Sequence, residues 1–279
     1  GGWWEWAPPC NTWRMPYWED MAEAFQAVER MSYMLSQGTH CCDVAVLYPV
    51  MAAEGGVEAQ KSVDMAFECV RRLYSGGTDV DFIDYHSILE AKIRDGRLEK
   101  EGESYRIIVL PEMKTVRLGM IKKLRQFSEL GGIVLGMGDA PIYSDSWDRQ
   151  ELQTQLEGLC FGFSLNDVAE TIKRVIAPDV IFPADVEPDK KYMLHRRIGE
   201  NDFYMVYGGE CGSRYGFRSS GEAAFWNPYD GKHYRLSSER KDGYTFVRLP
   251  LSGKELQLIS FSDSEQEQLP CWVDMTAVS

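Results

Sequence analysis

Histidine is scarce in this chain: His40, His86, His195 and His233 are all there is among 279 residues. They neither pair at helical spacing nor join a cysteine cluster, so no His- or Cys-based metal centre is expected. The seven cysteines show no CxxC spacing and are odd in number, which gives no complete disulfide scaffold. Cys69, within a helical pattern, and Cys160, in LCFGF, read as buried thiols acting as small hydrophobes. The adjacent Cys41-Cys42 has no partner that the sequence names. Long apolar runs are missing as well. None approaches the roughly 20 residues that span a bilayer, which predicts a soluble chain. The opening GGWWEWAPPC has neither the basic start nor the apolar stretch of a signal peptide, and a secreted or periplasmic location stays open.

Positive charge is in deficit: 30 Lys and Arg against 43 Asp and Glu give a net charge of -13. Nucleic acids and anionic membranes are met by basic surfaces, so neither is an expected partner, and the short run His195-Arg196-Arg197 does not reverse that. Several enzyme signatures are absent. There is no Ser in a GxSxG turn and no Cys in a strand-to-helix elbow. GMGD at 136–139 matches only part of a dinucleotide fingerprint and arrives late in the sheet. No cofactor is expected.

What the chain does have is a repeated order of apolar strand and amphipathic helix. VAVLYP, VDFIDY, YRIIVLPE and GIVLGMG are nearly continuous apolar runs, as strands covered on both faces require. Between them lie helical faces: Met21, Ala24, Phe25, Val28, Met31 and Leu35; Val63, Phe67, Val70 and Tyr74; Leu118, Ile121, Leu124, Phe127 and Leu130. DGRLEKEG reads as a polar hairpin. A last helix near Arg149–Leu159 and a weak strand at Val180–Phe182 would complete an open parallel sheet with helices on both faces. After Pro188 the helical period disappears, and YMLHRRIG, DFYMVYGG, GEAAFWNP, YTFVRLPL and ELQLISFS, separated by turn residues, predict a second, small antiparallel β domain. The division is therefore an aromatic segment and linking helix at 1–40, an α/β domain at 41–189, a β domain at 190–262, and at 263–279 a linker with the first turn of a further domain.

Ligands of open α/β sheets collect beyond the carboxyl ends of the strands, where the sequence places Glu54, Asp84, His86, Glu112 and Asp139. Carboxylates beside a histidine suit acid/base chemistry; the alternative is ordinary solvated loop polarity. A second candidate is the opening segment. Trp3, Trp4, Trp6, Trp13, Tyr17 and Trp18 interleave with Glu5, Asn11, Arg14 and Glu19, a mixture of flat apolar faces and hydrogen-bonding groups that suits a sugar ring or the packing of a domain junction. The ligand-binding candidates are Trp13, Arg14, Tyr17, Trp18, Glu54, His86, Glu112 and Asp139.

WAPPCNTWRMPYWEDMAEAFQAVERMSYMLSQG followed by DVAVLYP resembles the junction between a catalytic (β/α)8 barrel and the module after it in large multidomain bacterial glycoside hydrolases of the α-L-rhamnosidase type. The likeness continues through SYRIIVLPEMKTVRLGMIKKLRQFSELGGIVLG, HRRIGENDFYMVYGG and AFWNPYDGK. It implies a flavodoxin/amidotransferase-like sheet similar to the module of some β-galactosidases, serving assembly instead of chemistry. It also implies glycosidic cleavage by paired carboxylates of the barrel, which would precede Gly1. No residue present is then catalytic. The resemblance makes residues 1–20 a cut surface, and its partners are the missing barrel, a downstream domain, carbohydrate, or a second copy of the chain. The resulting expectation is a noncatalytic accessory fragment, with a carbohydrate-binding module as the alternative.

Overall fold

The computed structural model describes residues 13, 15–54, 59–146, 148–251 and 255–263, the side chains of residues 53 and 54 excepted. Five strands, β1 (Val44–Leu47), β2 (Asp81–Ile83), β3 (Ile107–Leu110), β4 (Ile133–Met137) and β5 (Cys160–Phe163), form one parallel sheet in the order β5-β4-β3-β1-β2. Alternate side chains of one strand point to opposite faces. Ala45, Leu47, Ile108 and Leu110 accordingly pack with Leu118, Ile121, Leu124 and Phe127 of helix α5, while Val44, Val46, Ile107 and Val109 pack with Ala66, Cys69 and Leu73 of α3 and with Val168 and Ile172 of α7. The helices in chain order are α1 (Met21–Ser36), α2 (Val50–Glu54), α3 (Ala59–Ser75), α4 (Tyr85–Glu90), α5 (Leu118–Glu129), α6 (Arg149–Leu156) and α7 (Leu165–Val175). Each fully buried aliphatic side chain stabilises this packing by roughly 1.5–3 kcal/mol.

A short parallel pair joins Thr115–Val116 to Tyr143–Ser144, and the strands after Lys191 are antiparallel. Strands β6 (Tyr192–Ile198), β7 (Asn201–Tyr207), β8 (Arg214–Phe217), β9 (Glu222–Trp226), β10 (His233–Arg235), β11 (Ser238–Lys241), β12 (Tyr244–Arg248) and β13 (Gln257–Ser262) divide between two sheets. One runs β6-β7-β13-β9-β10 and takes Thr39–His40 at its edge; the other runs β8-β12-β11 and takes Val180–Ile181. Their inner faces share one core, in which Tyr204 lies 5.0 Å from Phe217 and Phe217 lies 5.3 Å from Phe261. The fold is thus mixed α/β, with parallel and antiparallel sheets. Among the described residues no helix is long and apolar enough to cross a membrane.

Several local expectations change. Val180–Ile181 joins the antiparallel sheet instead of the parallel one, because Asp179 and Val180 are held by the carbonyl of Gly77 and turned toward Phe217. The fifth parallel strand is CFGF, and Cys160 is exposed there, since this strand forms the sheet edge; Cys69 is fully buried. The polar hairpin is a three-stranded meander of Lys92–Arg94, Arg97–Lys100 and Glu103–Tyr105. In α1 the expected inner face is open: Phe25 and Val28 are 48% and 54% exposed, and Ala27 is buried. Arg30 decides that orientation by donating to the carbonyls of Pro228 and Tyr229. Periodicity reports an apolar face and leaves open what covers it.

Candidate functional site

At the carboxyl edge of the parallel sheet, β1 gives way to Tyr48-Pro49 and β3 to Pro111-Glu112. Among the described residues, Leu47, Tyr48, Met51, Tyr85, Met113 and Met120 line a cavity of about 10 Å³ there. That is close to the least space one water needs. Two of the strand-end candidates, Asp84 and Glu112, are engaged in structural bonds. Asp84 caps α4, accepting from the Ser87 amide at 3.0 Å and the Ser87 hydroxyl at 2.9 Å. Burial pushes its pKa up, but those bonds outweigh it and the net shift is downward, so Asp84 is held as a carboxylate and is a poor proton donor. His86 is exposed and lies against Tyr85, with ring centres 4.0 Å apart. Glu112 accepts from Lys61 Nζ at 2.7 Å, its carbonyl accepts from the Ser62 hydroxyl at 2.5 Å, and Asp139 is exposed. Gly138, at φ +62°, passes so close to Glu112 that a Cβ would lie 2.2 Å from Oε2. No hydrogen bond or ion pair joins Glu112 or Asp139 to Asp84 or His86 among the described residues.

Of the aromatic candidates, Trp13, Tyr17 and Trp18 are exposed. Arg14, the earlier tryptophans and the side chain of Glu54 lie outside the described residues, as does the stretch after Asp263.

The densest polar cluster is elsewhere, where Thr39–His40, the entry to β2 and the antiparallel sheets meet. Asp79, fully buried, accepts from His40 Nε2 at 3.0 Å, from the His195 amide at 2.9 Å and from the Val80 amide at 2.9 Å. Its own amide donates to Asp179 at 3.0 Å. His195, stacked on Tyr204 with ring centres 4.1 Å apart, places Nε2 3.1 Å from Asp202 and Nδ1 3.5 Å from Asp179, the latter an ion-pair contact without hydrogen-bond geometry. Asp202 also accepts from Arg197 and Ser219, and Arg218 pairs with both Asp179 and Asp43.

Burial works to lower the pKa of both histidines, yet the carboxylates beside them prevail. His40 is pushed up to about 10 by Asp79 and Glu103, and His195 to about 10 by Asp179 and Asp202. Burial would raise Asp202, but His195, Ser219 and Arg197 bring it down to about 2. Both imidazoles are therefore cations at neutral pH. Donor atoms of His40, Cys42 and Asp79, and of His40, Asp81 and Glu103, lie within 4.8 Å of one another, and a metal there would have to displace the imidazole proton. Burial also pushes the Cys42 thiol up, and it donates to the Val44 carbonyl at 3.0 Å. The contacts these side chains make are those of a salt-bridge network. Its contacts join His40 to Asp79 across 39 residues and Asp79 to the His195 amide across 116, separations that left no local signal to find it.

A model of glycoside hydrolase family 106, α-L-rhamnosidase, matches residues 11–240. The chain belongs to that family. No curated protein sequence matches it. Among solved structures it is similar to a rhamnosidase from Novosphingobium sp. PP1Y, at a TM-score of 0.68 and 21% identity over 92% of this chain and 26% of that one. It is also similar to the β-galactosidase of Bacillus circulans sp. alkalophilus, at a TM-score of 0.58 and 12% identity over 89% of this chain and 46% of that one. A third likeness is to α-L-fucosidase isoenzyme 2 of Paenibacillus thiaminolyticus, at a TM-score of 0.56 and 12% identity over 89% and 52%. At these identities the likeness is one of fold, and the chain spans about half of those proteins or less. In this family member the shared fold takes in the parallel sheet and the antiparallel sheets together.

Proposed function

We propose that this chain is a noncatalytic, structural module of a glycoside hydrolase of the α-L-rhamnosidase family, whose bond-breaking carboxylates lie in another part of the full-length protein. The observation that carries this reading is the small cavity in the crevice between β1 and β3. In chain rank the sheet order is 2-1-3-4-5, the flavodoxin-like order also expected for an amidotransferase-like module, and its ligand position is that crevice. Here it holds methionines, tyrosines and a cavity of about 10 Å³, while Asp84 and Glu112 are spent on a helix cap and a lysine. The full-length protein would cleave α-L-rhamnosyl or related bonds, and the open face of α1 with Phe25, Val28 and Tyr33 suits contact with its catalytic barrel. On this reading 41–189 is the scaffold and 190–262 the accessory β element.

The test is an assay of the purified chain with an aryl α-L-rhamnoside, in which no turnover above the blank is expected. Turnover that disappears in Glu112→Gln would overturn the proposal. The exposure of Trp13, Tyr17 and Trp18 favours a second reading, carbohydrate contact by the aromatic segment. Calorimetry against neutral oligosaccharides separates the two, since heat that is lost in Trp13→Ala belongs to the second alone.

A further inference from the structure

The outer face of the sheet β8-β12-β11 carries a feature that runs against the charge of the whole molecule. Antiparallel register sets Arg214 directly opposite Arg248, an arrangement that is destabilising by itself. Alternation turns Tyr215, Phe217 and Val247 into the shared core and leaves Arg214, Phe246 and Arg248 on the other face. Gly216 lets Phe246 lie down against the sheet, since a Cβ there would come 2.7 Å from its ring. Arg214 lies over that ring at 4.4 Å and pairs with Glu239 at 2.6 Å. Arg248 donates to the Gly212 carbonyl at 3.0 Å, and among the described residues it has no carboxylate partner. Around these groups is a cavity of about 310 Å³ lined also by Leu236, Ser237 and Ser238, a size at the lower end of small-molecule sites.

We propose that this cavity binds a sugar acid, a pyranose carrying a carboxylate. Arg248, oriented by the Gly212 carbonyl and lacking a counter-charge, takes the carboxylate through the donor fork that suits it. The hydroxyls of Ser237 and Ser238 and the carboxylate of Glu239 meet ring hydroxyls, and Leu236 with the edge of Phe246 meets the C–H face. The lining holds two arginines and one glutamate in a chain of net charge -13, a local balance that favours an anion. Family membership enters only in the choice of a sugar over other hydroxylated acids, so the site stands whether or not the module is noncatalytic.

Calorimetric titration of the full chain with D-galacturonate and D-glucuronate, beside D-galactose and acetate, tests it. At least one uronate should bind about tenfold or more tightly than either control, the margin a charge-assisted bond supplies. Arg248→Ala should remove that advantage, Arg248→Lys should keep part of it, and Arg71→Ala, on α3, should leave it unchanged. Arg248 is exposed and bonds one carbonyl, so its variants are expected to fold, with a matching thermal transition as the check. Absence of uronate binding, acetate binding as tightly as the uronates, or unchanged affinity in Arg248→Ala would each overturn the proposal.

Discussion

The carboxyl edge of the parallel sheet and the seam between that sheet and the antiparallel ones invert the usual placement of charge. The edge, where an α/β fold ordinarily gathers its reactive groups, is lined with Leu47, Met113 and Met120. The seam, which needs only to hold, buries Asp79, Asp179 and His195 at 0%, 3% and 3% exposure. Buried ion pairs are poor sources of net stability but costly to break, because removing one partner strands the other. The difference teaches that this chain uses its buried charge to fix how its elements meet.

The sharpest way to break that contrast is Asp79→Ala. The substitution removes the nearer of two carboxylates at His40 and strands two backbone amides at once, and the expected loss is about 3–5 kcal/mol in urea unfolding. A loss below about 1 kcal/mol would mean that the seam is not the structural lock. At the edge, Met120→Ala should cost near the lower end of about 2–5 kcal/mol, since the neighbouring methionines can relax into the space. It should enlarge the cavity without creating turnover of an aryl rhamnoside.

How much was legible follows the same division. β1, β3 and β4 could be read because each is covered on both faces and therefore apolar throughout; all four residues of β1 are buried. β5 is an edge strand with Gly162 and an exposed Cys160, so its apolar signal is thin. Helix α7 escaped although its signals were present: Leu165, Val168, Ala169 and Ile172 keep the helical period, and Ser164 with Asp167 forms a capping box. The seam was out of reach for a different reason. His40 and His195 read as isolated histidines, and only the pairing of Thr39–His40 with β6 brings both to Asp79.

The pH dependence of unfolding sharpens the comparison further. His40 and His195 have folded pKa values near 10 against an ordinary value of 6.5. Their stabilising contribution is therefore complete below about pH 6.5 and is lost as pH rises toward 10, at up to about 1.4 kcal/mol per pH unit for each titrating group. Asp202, lowered to about 2, contributes above its ordinary 3.8 and loses that contribution as pH falls through 2. Thermal transitions should thus be highest between about pH 4 and 6.5 and fall on the alkaline side. His195→Gln should flatten the alkaline fall, and a slope left unchanged by it would remove His195 from the lock.

The smallest effect expected is at Glu112, and it bears directly on the edge. Its partner Lys61 has a side chain 65% exposed while that of Glu112 is 23% exposed, so water screens the pair and its worth is within about 0–1 kcal/mol. The backbone bond from Ser62 to the Glu112 carbonyl does not depend on the side chain and survives substitution. Glu112→Gln keeps the shape beside Gly138 and removes only the charge, so its unfolding midpoint in urea should lie close to that of the unaltered chain. A glutamate held for chemistry would behave otherwise: relieving a strained or repelled carboxylate commonly raises stability while activity falls. A clear gain in midpoint from Glu112→Gln would therefore reopen the strand ends as a reactive site, whereas a change below about 1 kcal/mol leaves Glu112 as the surface ion pair that its geometry describes.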